Sequence, residues 1–278
     1  IWTLAIILPF ILLFMSSITD ENTLVANGYS FFPKKFSLAS YSYIIKSGGQ
    51  ILKAYGVSIG VTVVGTLLNV LLSALMAYPL SVKNLPGRNV MMFFVFFTML
   101  FNGGIVPSYI MWTGTFHIKD TIFAQLLPNF LLSAWNVMMI RTYFTTSIPD
   151  GLYEAAEIDG ASQFTIFWKI VLPLGKPILV TMGTFAGLAY WNDWTNGLYY
   201  IVKNTGLYNV QNLLNQMVQN IQFLTQSSNS NVTAAASTIP ATGIQMAIAF
   251  VAILPIMLIF PSFQKYYAKG IALGAVKG

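Results

Sequence analysis

Apolar runs separated by short polar connections constrain this chain more than any other feature. A helix that crosses a bilayer needs about 20 mostly apolar residues, because in hydrocarbon every backbone polar group must find its partner inside the protein. Six segments meet or approach that length: about 1–17, 57–80, 90–112, 121–140, 176–198 and 243–263. Charged residues make up only 8% of the 278 residues, and mean hydropathy is +0.68. A soluble domain carries roughly 25% charge. The sequence therefore predicts an all-α membrane protein, one transmembrane domain over residues 1–278 with six spans.

The net charge of +6 is scattered along the chain. Scattered basic residues suit the anionic headgroups of a lipid bilayer and form no nucleic-acid patch. There is no cysteine and a single histidine, His117, so disulfides, iron–sulfur clusters and thiolate zinc sites are excluded and no metal site is expected. The chain opens at Ile1 inside an apolar run, and a cytoplasmic leader is expected ahead of it.

The densest charge lies between the fourth and fifth apolar segments, in Glu154-Ala155-Ala156-Glu157-Ile158-Asp159-Gly160-Ala161. Its small residues permit close backbone approach. Gly160 permits a left-handed cap or a sharp turn. Ser162 can then cap a second short helix carrying Phe164, Phe167 and Trp168, ahead of Pro173 and Pro177. Residues 145–173 thus read as a helix-turn-helix standing off the membrane, a form suited to docking.

The pattern Glu-Ala-Ala-x-x-Asp-Gly-Ala, followed by Ile170 and Leu172-Pro173, resembles the coupling loop of binding-protein-dependent ABC importer permeases. With Asp159 before Gly160 it is similar to the carbohydrate-importing, maltose-importer-like branch. The resemblance extends through Arg141-Thr142-Tyr143-Phe144, Ile148-Pro149 and the C-terminal Gln264-Lys265-Tyr266-Tyr267-Ala268-Lys269-Gly270-Ile271 and Gly274-Ala275-Val276-Lys277-Gly278. Phe101-Asn102-Gly103-Gly104-Ile105-Val106-Pro107 and Trp191-Asn192-Asp193-Trp194 resemble its lipoprotein-associated oligosaccharide-permease subgroup. One departure is local: Gly56-Val57-Ser58 stands where many relatives show Asn-Ser.

The resemblance implies half of a translocation pore in a bacterial cytoplasmic (inner) membrane, with the termini and the coupling loop in the cytoplasm. Lys and Arg are divided too evenly between the two sides to orient the chain alone. It also implies a second permease subunit, two ATP-binding cassette subunits, an extracytoplasmic solute-binding protein and a sugar substrate. ATP and Mg would sit on the partner ATPases, since no G-x-x-x-x-G-K-[ST] phosphate loop is present here. Glu154, Ala155, Ala156, Asp159, Gly160 and Ala161 would then contact the ATPase.

Two stretches are candidates for the substrate path. Asn102, Gly103, Gly104 and Pro107 should interrupt the third segment, about 18 Å from its start. Interrupted helices near the midplane are how many transporters build a binding site; a packing kink, or an early helix end with a re-entrant loop, explains the same residues. Tyr190, Trp191, Asn192, Asp193 and Trp194 combine rings, an amide and the only acid well inside an apolar segment. Such an acid is a functional candidate, and rings beside polar groups suit sugars. The alternative is an interfacial aromatic belt, and a position near the outer boundary leans that way.

Asn136 is expected to bond between helices, and Gly183 and Gly187 to bring two helices close. Leu207, Val210, Leu213, Leu214, Met217, Val218, Ile221 and Leu224 recur at helical spacing. A Ser/Asn-rich linker, Gln226 to Asn231, follows in a loop that in the maltose-importer permease reaches toward the binding protein. His117 is assigned no role. An ion-coupled secondary transporter needs titratable groups within its spans, and apart from Asp193 none is found. An intramembrane enzyme needs an Asp pair, a Ser–His set or a metal cluster, and the sequence supplies none. A permease subunit for sugars, with no catalytic residues of its own, is the expected function; a permease for another solute is the alternative.

Overall fold

The computed structural model describes residues 2–46, 48–226 and 241–275. Among them the regular structure is helical, and the one β feature is an isolated antiparallel bridge between Thr19 and Phe36. The stretch from 227 to 240, with most of the Ser/Asn-rich linker, and the terminal 276–278 lie outside the described residues. Among the described residues two helices are long and apolar enough to cross a membrane, Gly48–Ser81 and Ala241–Leu258. Two bent pairs reach that length only if each is counted as one span: Arg88–Leu100 with Ile105–Thr115, bent by 111°, and Gln163–Leu174 with Lys176–Asn192, bent by 78°.

The chain divides into two compact units. The first takes residues 1–58 and 204–259. Its core forms where Val210–Gln226, the amphipathic helix expected from spacing, lays Val210, Leu213, Leu214 and Met217 against Ala54, Ile44, Ile248 and Ala252. Its start is fixed by Ser58, whose Oγ accepts from the Val210 amide at 2.8 Å. The last helix of the chain, Ala241–Ala275, begins on a carboxylate: Glu21 accepts from the Thr242 and Gly243 amides at 2.9 and 2.8 Å. Those amides are the free donors of a helix start, and a carboxylate there also meets the favourable end of the helix dipole.

The second unit takes residues 59–203 and 260–278. Its core collects Ala74, Ala77 and Tyr78 with Val137, Ile140 and Phe144, then Ile166, Phe167 and Val171, then Ile178 and Met182. Helix Lys176–Asn192 approaches Gly48–Ser81 through glycines, as the small-residue spacing implies. A Cβ on Gly183 would meet Val70 at 3.2 Å, and one on Gly187 would meet Thr66 at 3.3 Å. At Gly175, where the chain bends before that helix, a Cβ would lie 2.5 Å from the Phe144 ring. A side chain at this position would also press on the Val171 carbonyl, so the close packing at the bend requires glycine.

Residues 121–140, expected as one span, are not one helix. Phe123–Leu126 is a single short turn, and Ala134–Ser147 starts a separate helix running past the expected end. Pro128 and Asn129 lie between them, and Asn129 takes φ 67, a left-handed conformation that no helix continues through. The third segment also breaks, at Gly104, where φ is 87. Two glycines had signalled that break; the break at Asn129 has no glycine to announce it.

Candidate functional site

The acidic loop is built from the turn outward. Helix Asp150–Ile158 ends when Gly160 adopts φ 75. The Gly160 amide then donates to Glu157 O at 3.0 Å and the Ala161 amide to Ala156 O at 2.9 Å, the paired bonds of a Schellman cap. Ser162 opens the next helix, its Oγ accepting from the Thr165 amide at 3.2 Å. A side-chain link closes the turn: Gln163 Nε2 donates to Glu157 Oε1 at 2.8 Å, while Tyr78 donates its hydroxyl to Gln163 Oε1.

Beneath the turn is an aromatic floor. Tyr78 lies 5.4 Å from the Phe167 ring and 6.5 Å from Tyr153, centroid to centroid. Burial, reinforced by the neighbouring Tyr78 and Asp150, pushes the Tyr153 phenol up to about 12. It therefore stays neutral at any physiological pH. Lys83 pairs with Asp150 at the first turn of the helix.

This floor decides what the loop presents. Glu154, Ala155, Asp159 and Gly160 are exposed, Ala161 is half-buried, and Ala156 faces inward at 8% exposure. Of the six residues expected at the docking surface, Ala156 packs the loop onto the core instead. The most prominent apolar side chain on the open face is Ile158, 87% exposed, with Phe164 and Leu152 also exposed. Spacing singled out the small and acidic residues and passed over Ile158, although an isoleucine between Glu157 and Asp159 could have marked it.

The candidate substrate residues fall in two settings. Asn102, Gly103 and Gly104 are all exposed, and Asn102 Oδ1 accepts from the Gly104 amide at 2.8 Å, which forms the turn into the next helix. In the second stretch Tyr190, Trp191 and Asp193 are buried, whereas Asn192 and Trp194 are exposed. Asp193 Oδ1 accepts from the Thr195 amide at 3.0 Å, the Thr195 hydroxyl at 2.7 Å and the Asn196 amide at 3.3 Å. Those bonds hold the first two residues of helix Thr195–Tyr200, which gives the buried acid a structural task of its own.

Three side chains hold the broken fourth segment by its carbonyls. Tyr190 donates to Leu126 O at 2.9 Å, Asn196 Nδ2 to Pro128 O at 3.1 Å and Asn69 Nδ2 to Phe130 O at 2.6 Å. Asn129 Nδ2 donates to Asn196 Oδ1 at 3.2 Å, and Asn136 Nδ2 to Asn69 Oδ1 at 2.8 Å. Asn136 thus bonds between helices, as expected. Irregular backbone in an apolar setting is tolerated only where its polar groups are satisfied; here three donors from two other helices and the short Thr195–Tyr200 turn satisfy them. Asn69 carried no sequence signal for this role.

Comparison with known proteins gives the same family from three directions. Residues 56–273 match the model of the family described as binding-protein-dependent transport system inner membrane component. The chain is 36% identical to protein LplC of Bacillus subtilis over 98% of this chain and 90% of that one. It is 37% identical to the polygalacturonan/rhamnogalacturonan transport system permease protein YtcP of the same organism, over 100% of this chain and 94% of the relative. A crystal structure of a bacterial ABC transporter involved in the import of the acidic polysaccharide alginate superimposes with a TM-score of 0.80 at 26% identity, covering 96% of this chain and 92% of that one. The chain belongs to the family of binding-protein-dependent transport system inner membrane components.

Proposed function

We propose that the chain is a permease subunit of an ATP-driven importer of oligosaccharides or polysaccharide fragments, forming half of the pore. A second permease completes that pore, two ATPase subunits drive it, and an extracytoplasmic binding protein delivers the sugar. The reading is supported by relatives that move polygalacturonan and arabinooligosaccharides and by the alginate importer. The observation that carries the mechanism is the acidic helix-turn-helix, with its Schellman turn locked to a buried aromatic floor and its outer face open.

Coupling then follows from rigidity. A partner that grips Ile158, Glu154 and Asp159 moves an element whose turn is closed by Glu157–Gln163 and whose base includes Tyr78 of helix Gly48–Ser81. ATPase closure is passed to that helix as a rigid-body displacement. No residue of this chain does chemistry in that scheme. The loop lies on the cytoplasmic side, and ATP with Mg is bound by the partners.

The test is ATP hydrolysis by the complex reconstituted with its partner permease, ATPase and binding protein, across neutral and acidic oligosaccharides. Stimulation is expected with acidic fragments and only with binding protein present. Ile158→Asp and Gly160→Pro should each leave assembly in the membrane intact while reducing that stimulation about tenfold or more, since a buried charge or a broken cap at a docking element costs over 1.4 kcal/mol. Stimulation retained by both variants would remove the loop from the coupling path. A complex that hydrolyses ATP but answers to no sugar would leave the permease and remove the carbohydrate.

A further inference from the structure

The two stretches that the sequence offers for a substrate path are continued by helices that meet. Residues 102–104 lead into helix Ile105–Ile110, and residues 190–194 into helix Thr195–Tyr200. Near the ends of those helices Tyr109 stacks on the buried Tyr200, with ring centroids 5.8 Å apart and planes 11° from parallel. Lys119 closes on the same ring. Its Nζ donates to the Tyr109 hydroxyl at 3.2 Å and lies 5.9 Å from the ring centroid.

Asp120 holds the backbone around this cluster. Its own φ is 58, its amide donates to Tyr200 O at 3.0 Å, and its Oδ1 accepts from the Val202 and Lys203 amides at 2.7 Å each. Those bonds fasten the connection carrying Lys119 to the end of the helix carrying Tyr200. Lys119 is exposed and Tyr109 half-buried, so a phenol steadies the ammonium while solvent still reaches it. Fixing a long side chain before its ligand arrives lowers the entropy cost of binding. The Tyr109 oxygen that accepts from Lys119 keeps its own proton to donate, so the pair offers two adjacent donors, one of them charged. A carboxylate takes such donors on its two oxygens. The cluster lies beyond the end of helix Lys176–Asn192 that points away from the acidic loop, after 17 residues and about 25 Å of helix.

We propose that Lys119 and Tyr109 form a site for a sugar carboxylate, receiving the uronate group of an acidic oligosaccharide at the outer face before it enters the pore. The inference rests on the reading of the chain as a permease for polysaccharide fragments, and it names the charged group that this end of the molecule selects. Lys119 pairs with one carboxylate oxygen and Tyr109 donates to the other. Trp194, 41% exposed and just ahead of the helix that ends in Tyr200, adds a ring for the C–H face of a sugar. A neutral sugar retains the ring contact and forfeits the charge-assisted bond, so the site discriminates by charge.

The test is uptake by the full complex in liposomes, with saturating binding protein, of an oligogalacturonate and of the same oligomer as its methyl ester. The wild type should favour the acid. Lys119→Met should lower the ratio of acid to ester uptake about tenfold, the loss of one charge-assisted bond, and Lys119→Arg should restore part of it. Tyr109→Phe keeps the ring against Tyr200 and removes only the hydroxyl, and should lower the ratio several-fold. Lys34→Met removes an exposed charge from the first connection and should leave the ratio at its wild-type value. A ratio unchanged in Lys119→Met, or lowered as far in Lys34→Met, would overturn the site. Equal losses of acid and ester uptake in Lys119→Met would overturn it too, making the lysine a contact for the binding protein. A wild type that imports only the ester would sink the site and keep the carbohydrate, whereas one that imports neither would sink the carbohydrate reading on which the site rests.

Discussion

Gly65 has no side chain because Tyr190 occupies the space. A Cβ built there would lie 2.4 Å from the ring, inside any real contact distance. The ring is buried, and moving it aside would break its bond to Leu126 O. Gly65→Ala is therefore expected to cost about 1–3 kcal/mol by overpacking, read as a lower thermal midpoint of the purified complex. Gly60→Ala on the same helix, where a Cβ meets nothing within 4 Å, should leave the midpoint unchanged. Matching midpoints for the two variants would show that Tyr190 yields more easily than its bond implies. The pair also marks a limit of legibility. Gly183 and Gly187 reveal themselves as a small-residue spacing, because both partners in that signal lie on one helix. Gly65 gives no such signal, since the ring that excludes a side chain comes from the distant residue 190.

At the level of elements, hydropathy finds apolar segments but not where they break. A window over residues 121–140 averages apolar composition and returns one helix, whereas the chain leaves helical geometry after Leu126 and resumes at Ala134. What makes that break stable is remote: the donors for Leu126 O, Pro128 O and Phe130 O come from Tyr190, Asn196 and Asn69. Asn196 is fully buried; its Nδ2 donates to Pro128 O and its Oδ1 accepts from the Asn129 side-chain Nδ2. Asn196→Ala strands both, and is expected to cost about 1–3 kcal/mol. Asn192→Ala, four residues earlier and exposed, should change stability little while remaining a direct test of ligand contact. Equal midpoints for the two alanine variants would mean that water replaces the lost amide. The acidic loop was more legible than the fourth segment because its determinants are local: Gly160 and Ser162 each act on backbone within five residues. Its buried floor was not, since Tyr78 reaches Gln163 from another helix.

Orientation belongs to the whole molecule, and composition alone leaves it open because Lys and Arg divide almost evenly along the chain. The absence of cysteine makes the question direct, because any cysteine introduced is the only thiol. Ile158 is 87% exposed on the acidic loop, and Lys34 is exposed in the connection after the first apolar helix. In vesicles of known sidedness, Ile158→Cys should react with a membrane-impermeant maleimide only from the cytoplasmic face, and Lys34→Cys only from the opposite one. Adding the ATPase subunits should then protect Ile158→Cys and leave Lys34→Cys reactive, because the proposed docking covers the acidic loop and not the connection after the first helix. Labelling of both positions from one side would contradict an odd number of crossings between them. Correct sidedness without protection would retain the membrane topology while placing the ATPase contact elsewhere, which separates the reading of the fold from the reading of the coupling surface.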